Sequence, residues 1–156
     1  MPGLLSFLAL CNLVIGTGAF MLSGMLVPMS TALVTSVASV GQAMTVYALS
    51  TAVLAPLALV FTGRWPRRRA LAFGLVVFAL GNVVCALSTH LLWLFAGRVL
   101  MGLGAVFTPL AAGIAVAVVE PARRGRALSR VFLGMSMSYV VGVPLGAWLA
   151  FSLGWR

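Results

Sequence analysis

The sequence predicts an all-α protein, a polytopic bundle of about five transmembrane helices. The first observation is composition: 63% of the 156 residues are hydrophobic and 7% are charged, whereas soluble domains have about 45–50% apolar and about 25% charged residues. The second is that the apolar residues form runs long enough to cross a bilayer, which takes about 20 residues. The third is that the basic residues lie in short clusters between those runs. That distribution is typical of membrane helices and argues against a nucleic-acid partner.

The strongest cluster is GRWPRRR, residues 63–69, which interrupts a sequence that is otherwise uncharged from residue 1 to residue 97. An arginine at the centre of a membrane helix costs about 2.5–3.5 kcal/mol on insertion scales, and the excess of arginine marks cytoplasmic loops. We therefore predict that this segment is a cytoplasmic loop. Its position fixes the orientation of the helices on either side.

The uncharged residues before this loop provide two helices. Residues 4–27 are predicted as helix one and residues 42–62 as helix two. The turn between them is placed at residues 28–41, where Pro28 and a cluster of serines and threonines interrupt the apolar sequence. The amino terminus lacks the basic region of a signal peptide, so helix one is expected to be retained.

Three further helices follow the loop, at residues 70–87, 91–119 and 127–153. A polar turn at residues 88–90 and the basic segment EPARRGR at residues 120–126 separate them. The loops alternate between uncharged and basic, which places the amino terminus in the cytoplasm and Arg156 outside. The expected location is the inner (plasma) membrane, as a multi-pass protein. A β-barrel is excluded because barrel strands alternate in hydrophobicity over about ten residues.

Arg98 is the strongest candidate for a functional residue. It lies seven residues past the start of helix four, and intramembrane arginines usually face a bundle interior or a water-filled cavity. The alternative is that its long side chain reaches back to the outer interface. Gly102 and Gly104, one turn later, are expected to let a neighbouring helix approach closely.

A second candidate is GVPLG, residues 142–146, in helix five. Pro144 removes one backbone hydrogen bond and is expected to bend the helix. Gly142 and Gly146 form a small-residue face on which another helix can pack. The alternative is that this spacing reflects ordinary packing, since it occurs in many membrane helices.

Polar groups within the predicted helices are candidates for lining a cavity. Asn12 and Tyr47 are the two that we select, with hydrogen bonding to a neighbouring helix as the alternative. Cys11 and Cys85 have no Cys or His at metal-ligand spacing, and we interpret both as packing residues. No nucleotide-binding motif, catalytic triad or metal cluster is present in the sequence, so no cofactor, metal or enzymatic activity is predicted.

In order and spacing, five segments resemble the amino-terminal half of a major facilitator superfamily transporter, closest to the twelve-helix drug/proton antiporters of the arabinose-efflux-permease type. The resemblance extends over nearly the whole chain, and its segments are GTGAF (16–20), YALSTAVLAPLALVFTGRWPRRR (47–69), RVLMGLGA (98–105), EPARRGRALS (120–129) and GVPLGAWLA (142–150).

The resemblance implies a twelve-helix facilitator fold of which residues 1–156 supply helices one to five, without helix six and the carboxyl-terminal half. It implies efflux of drug-like compounds, sugars or metabolites by alternating access, with proton antiport as the energy source. Arg98 would act in proton coupling or conformational change. Gly142, Pro144 and Gly146 would form the helix-five antiporter motif, and the cytoplasmic loop motif would comprise Gly63, Arg67, Arg68 and Arg69.

The chain departs from the family pattern at two places. Ala19 stands where many relatives carry a carboxylate in helix one, and the GRWPRRR loop lacks the usual acidic residue and second glycine. A proton-titrating carboxylate would then lie outside this chain. The expected partners are a small-molecule substrate, the lipid bilayer, and the missing half or a second chain. We therefore expect the chain not to transport alone; a uniporter or importer, and a non-transporting scaffold, are the alternatives.

The arginine distribution generates a prediction about topology. A cysteine introduced at Arg68 or Arg124 should be protected from a membrane-impermeant thiol reagent in intact cells, whereas one at His90 should react. The native Cys11 and Cys85 are first replaced by serine. Labelling at position 68 from outside the cell would contradict the predicted orientation.

Overall fold

The computed structural model describes residues 2–154 and contains five helices that are long and apolar enough to cross a membrane. This confirms the predicted all-α transmembrane class. Many large apolar side chains lie on the outside of the bundle, as expected for a surface that faces lipid acyl chains. The five membrane-length segments are Gly3–Ala32, Val37–Thr62, Arg67–Ala86, Leu91–Ala117 and Pro121–Ser152.

The first segment consists of two helices, α1 (Pro2–Phe20) and α2 (Leu22–Ala32), separated by an irregular turn at Met21. At this turn the amide of Gly24 donates to the carbonyl of Met21 at 3.0 Å, a shorter-range bond than the regular helix uses. The last carbonyl groups of α1 thus become available to other partners.

The predicted turn at residues 28–41 is wrong, because α2 continues through Pro28 to Ala32. Beyond the proline, the hydroxyl groups of Ser30 and Thr31 donate to the carbonyl of Val27, at 2.9 and 3.2 Å. Serine and threonine therefore bond back to their own helix here instead of ending it. In a bilayer the backbone has no water to bond to, so the helical hydrogen bonds are retained wherever they can form.

The second segment, α3 (Val37–Thr62), begins five residues earlier than predicted. Ser36 caps it, since the side chain of Ser36 accepts a hydrogen bond from the amide of Ser39 at 3.0 Å. The connection between α2 and α3 is therefore only four residues long. One of these, Val34, has a positive φ of 51°, which is the left-handed conformation that permits the tight reversal.

The third segment, α4 (Arg67–Ala86), begins three residues before the predicted start. Its first turn contains Arg67, Arg68 and Arg69, which were expected in the loop; Pro66 precedes it with a helical φ of −54°. Proline favours a helix start because its ring fixes φ and its missing N–H is not needed there. All three arginines remain exposed to solvent at the end of the bundle.

The fourth segment also consists of two helices, α5 (Leu91–Gly104) and α6 (Phe107–Ala117), with a turn at Ala105 and Val106. A 3-10 turn (Pro121–Arg123) then leads into the long helix α7 (Arg124–Ser152). The predicted loop at residues 120–126 is therefore shorter than expected. Arg156 lies outside the described residues.

Packing arranges these helices in two groups. Helix α7 lies along α1 and α2, and α5 lies between α3 and α4. A buried core joins the groups, and its residues come from every helix but α2, with Phe107, Leu8 and Ile15 among its fully enclosed side chains. Every helix therefore packs against at least two others, and the side chain at position 98 lies where four of them meet.

Candidate functional site

Arg98 lies inside the bundle, about two turns from the start of α5. Only 3% of its surface is exposed, so the alternative in which the side chain reaches out to the interface does not describe this structure. A buried arginine requires partners for its charge and its donors, because desolvating an ion costs several kcal/mol.

The main partner of Arg98 is the backbone of α1. Its Nη1 donates to the carbonyl oxygen of Ala19 at 2.9 Å, within the last turn of α1. Carbonyl groups at the carboxyl end of a helix carry a partial negative charge, and the break at Met21 leaves this end free. The guanidinium carbon also lies 6.0 Å from the ring centroid of Tyr47, within range of a cation–π interaction.

This arrangement substitutes for a carboxylate. The chain has a single acidic residue, Glu120, whose side chain is exposed in the basic connection. The guanidinium is therefore bonded to a backbone oxygen, that of Ala19, and not to a carboxylate. The Nε of Arg98 has no hydrogen-bond partner among the described residues.

A small cavity of about 120 Å³ adjoins Arg98 between α1, α2, α4 and α5. Its wall includes Met21, Met25 and Met29, which follow one another at intervals of four residues, and Asn82 and Cys85 of α4. A space of this size can hold a few water molecules.

Glycines hold α5 close to its neighbours and so position Arg98. A Cβ atom at Gly97 would lie 2.8 Å from the carbonyl oxygen of Gly81, and one at Gly104 would lie 2.7 Å from the Cα of Phe78. On the opposite side, a Cβ at Gly102 would lie 2.9 Å from the amide of Thr51. The predicted close approach at Gly102 and Gly104 is thus present.

The glycines of GVPLG belong to a longer row of small residues on α7. These residues recur at every fourth position and are all buried against α1 and α2: Gly134, Ser138, Gly142, Gly146 and Ala150. A Cβ at Gly142 would lie 3.2 Å from the Cα of Thr17, and one at Gly146 would lie 2.6 Å from the carbonyl oxygen of Met21. Small residues at this spacing allow two helices to pack backbone to backbone.

Pro144 lies on the other side of α7 and is exposed. Helix α7 continues on both sides of it without an interruption. The interruptions in the described helices lie instead at Met21 and at Ala105 and Val106, on the elements that surround Arg98.

Tyr47 and Asn12 occupy different environments. Tyr47 lines a cavity of about 350 Å³ between α3, α6 and α7, together with Thr51, Thr108 and Met135. Asn12 is fully buried and does not line this cavity. Its amide donates to the carbonyl of Val131 at 3.2 Å, and its oxygen accepts from Thr108 at 2.9 Å. Asn12 therefore ties α1 to α6 and α7.

The structure also brings forward residues that the sequence reasoning missed. Thr51 has a buried hydroxyl, and it lines the same cavity as Tyr47. Its position four residues after Tyr47 places both on one face of α3, and this spacing was the available signal.

The predicted motif residues Gly63, Arg67, Arg68 and Arg69 are all exposed at the basic end and do not approach Arg98. Among residues 2–154, no group of three or more His, Cys, Asp and Glu is placed to bind a metal.

Comparison with known proteins gives a match over most of the chain. The family model described as Major Facilitator Superfamily matches residues 8–156. A chloramphenicol efflux pump of Mycobacterium tuberculosis is 37% identical over 157 residues, covering 97% of this chain and 37% of the pump. The chloramphenicol resistance protein of Streptomyces lividans is 35% identical over 157 residues, covering 100% of this chain and 40% of that protein. An inner membrane transport protein of Escherichia coli is 32% identical over 143 residues, covering 91% and 37%.

The chain therefore spans about two fifths of the length of these relatives.

The packing of α7 generates a prediction about Gly146. Gly146→Val should destabilise the purified chain by about 1–3 kcal/mol, because its side chain would collide with the Met21 backbone of a tightly packed neighbour. Thermal unfolding in detergent measures the loss. Gly113→Val is the matched control, since a Cβ at Gly113 meets nothing within 4 Å. Equal losses at the two glycines would show that the small-residue row does not set the helix contact.

Proposed function

The chain belongs to the major facilitator superfamily, and we propose that it forms the first five membrane helices of an efflux transporter for small amphiphilic molecules. The observation that carries this proposal is the Arg98 site, an arginine enclosed by four helices and bonded to a helix break. Similarity to a chloramphenicol efflux pump and to a chloramphenicol resistance protein, over nearly the whole chain, supports the proposed direction of transport and class of substrate.

In this proposal Arg98 acts in conformational change. It links α5 to the carboxyl end of α1 at the point where the first segment is interrupted. Interrupted helices are common at the working regions of secondary transporters, where they let one part of a bundle move against another. A shift of α2 relative to α1 would alter the carbonyl group that Arg98 contacts, and thus couple the bond to the state of the transporter.

Proton antiport is the energy source that we propose, with the titrating group outside this chain. No carboxylate of residues 2–154 lies beside Arg98. A change in the protonation of a carboxylate elsewhere in the transporter can be transmitted to Arg98 through the packed and hydrogen-bonded residues between them. This separates the group that holds the charge from the group that takes up the proton.

The substrate wall in this proposal is the cavity that contains Tyr47. An aromatic ring, two threonine hydroxyls and the thioether of Met135 surround it. Such a mixture of apolar surface and a few hydrogen-bonding groups suits an aromatic amphiphile, and thioethers adapt to ligands of different shape. We propose chloramphenicol as the first compound to test, since relatives are named for it.

We further propose that the amino terminus faces the cytoplasm in an inner (plasma) membrane. Eight arginines, four in residues 63–69 and four in residues 120–130, lie on connections and helix starts at one end of the bundle. This excess of positive charge is the basis of the assigned orientation.

A chimeric transporter tests the efflux proposal. Residues 1–156 replace the matching segment of the Mycobacterium tuberculosis chloramphenicol efflux pump, and accumulation of labelled chloramphenicol is measured in Escherichia coli. We expect accumulation to fall relative to cells without the chimera, and dissipation of the proton gradient to abolish the difference.

A second chimera, carrying the corresponding segment of the Streptomyces lividans resistance protein, shows whether the recipient accepts a foreign segment. Export by this control without export by the first chimera, at equal membrane levels, would contradict the efflux function. Cells that express residues 1–156 alone are the negative control, and we expect no export from them because a facilitator cavity forms between two halves.

Arg98→Ala in the exporting chimera should reduce the initial efflux rate by about tenfold or more, as expected for loss of a charge-assisted bond. Arg98→Lys should restore little activity, because an ammonium group lacks the planar fork of the guanidinium. Arg130→Ala, at an exposed arginine, is the matched control. Unchanged efflux by Arg98→Ala at normal protein levels would remove Arg98 from the transport mechanism.

A further inference from the structure

A groove of about 290 Å³ opens on the side of the bundle at its basic end. Its walls come from the end of α3, the start of α4 and the second half of the fourth segment, α6. The floor is apolar, with Leu59, Leu110 and Ile114. Gly113 contributes an open edge, since nothing lies within 4 Å of the position of its Cβ. The groove is therefore a depression in the apolar outer surface.

The mouth of the groove is formed by Trp65 and Arg67. Trp65 is held edge-on against Phe73, with 5.6 Å between the ring centroids, and 45% of its surface remains exposed. Tryptophan is enriched where membrane proteins cross the headgroup region. The apolar floor thus lies on the acyl-chain side of Trp65, and the guanidinium of Arg67 lies on its headgroup side.

Positive charge at the mouth is not neutralised by the described part of the chain. Arg64, Arg67, Arg68 and Arg69 are all exposed, and the ion pair in residues 2–154 joins Arg123 to Glu120, at 3.8 Å, in the other connection. Three of these arginines occupy the first turn of α4, where the helix dipole adds further positive potential.

We propose that this groove binds one anionic phospholipid, with its phosphate at Arg67 and an acyl chain along the floor. This occupant is chemically complementary to the groove. The arginines at the mouth favour an anionic group, and the apolar floor beside an interfacial tryptophan favours an acyl chain. Juxtamembrane arginines attract anionic lipids with an energy equivalent to about fivefold in affinity for each residue. The second basic segment, with its own carboxylate, does not line this groove. The proposed lipid site adjoins the cavity that contains Tyr47, since Leu59 and Pro109 line both.

Quenching of tryptophan by brominated lipid tests the proposal on the full 156-residue chain. Trp93, Trp148 and Trp155 are replaced by phenylalanine, which leaves Trp65 as the sole tryptophan, and its fluorescence is excited selectively. The chain is reconstituted into phosphatidylcholine vesicles that contain increasing fractions of phosphatidylglycerol, with either lipid brominated in its acyl chains. We expect Trp65 to be quenched at a lower fraction of brominated phosphatidylglycerol, corresponding to a severalfold preference for the anionic lipid.

Arg67→Gln should reduce this preference about fivefold, and Arg67→Lys should retain most of it. Arg130→Gln, on α7 and outside the groove, is the matched control for net charge and should leave the preference unchanged. A second single-tryptophan chain that keeps the exposed Trp93, near the opposite end, should be quenched equally by both lipids. Circular dichroism of each variant verifies that the helices are intact.

Equal quenching of Trp65 by both lipids would overturn the proposal, and so would an undiminished preference in Arg67→Gln. Absence of quenching by either lipid, while Trp93 is quenched, would show that protein covers the groove, and this also overturns it.

Discussion

The hydrogen bond from Arg98 to the carbonyl of Ala19 is the interaction on which the central arrangement depends. A guanidinium buried among four helices carries a large desolvation cost, and the sequence supplies no carboxylate to offset it. The break at Met21 offsets part of this cost, because it exposes the partially negative end of α1 to the arginine. An interruption that would weaken an isolated helix thus provides a partner for a charge. The site and the interruption are two parts of one structural solution.

Small residues make that solution geometrically possible. Gly97 and Gly104 bring α5 against α4, and Gly102 brings it against α3, so that the arginine reaches α1 without extending to the surface. The row on α7 does the same for α1 and α2. In lipid there is little hydrophobic gain from helix association, so close backbone contact and a few hydrogen bonds must hold the bundle together. The Asn12 bonds to Val131 and Thr108 are the clearest of the latter.

The positive charges lie in two different environments, a buried interior site and an exposed basic end. Arg98 is held by backbone and an aromatic ring, whereas the exposed arginines of residues 64–69 are directed at the headgroup region. The groove beside α6 is a site at which a lipid can contact the fourth segment, which is interrupted at Ala105 and Val106. A lipid bound there would touch the half of the fourth segment that follows Ala105 and Val106.

Composition and the spacing of arginines by themselves determined the all-α membrane class and the number of segments, because a bilayer imposes a length and a charge pattern that can be read residue by residue. The family was indicated by the resemblance of five sequence segments, such as RVLMGLGA at residues 98–105. The sequence also singled out Arg98 and the close approach at Gly102 and Gly104. The extension of α2 through Pro28, the breaks at Met21 and at residues 105–106, and the tie made by Asn12 were decided only by the tertiary structure. Each of these depends on which partner a backbone or amide group finds, either in its own helix or in one distant in sequence. Ser30 and Thr31 are equally compatible with a loop and with bonding back to a helix, and only the surroundings, apolar or aqueous, select between the two.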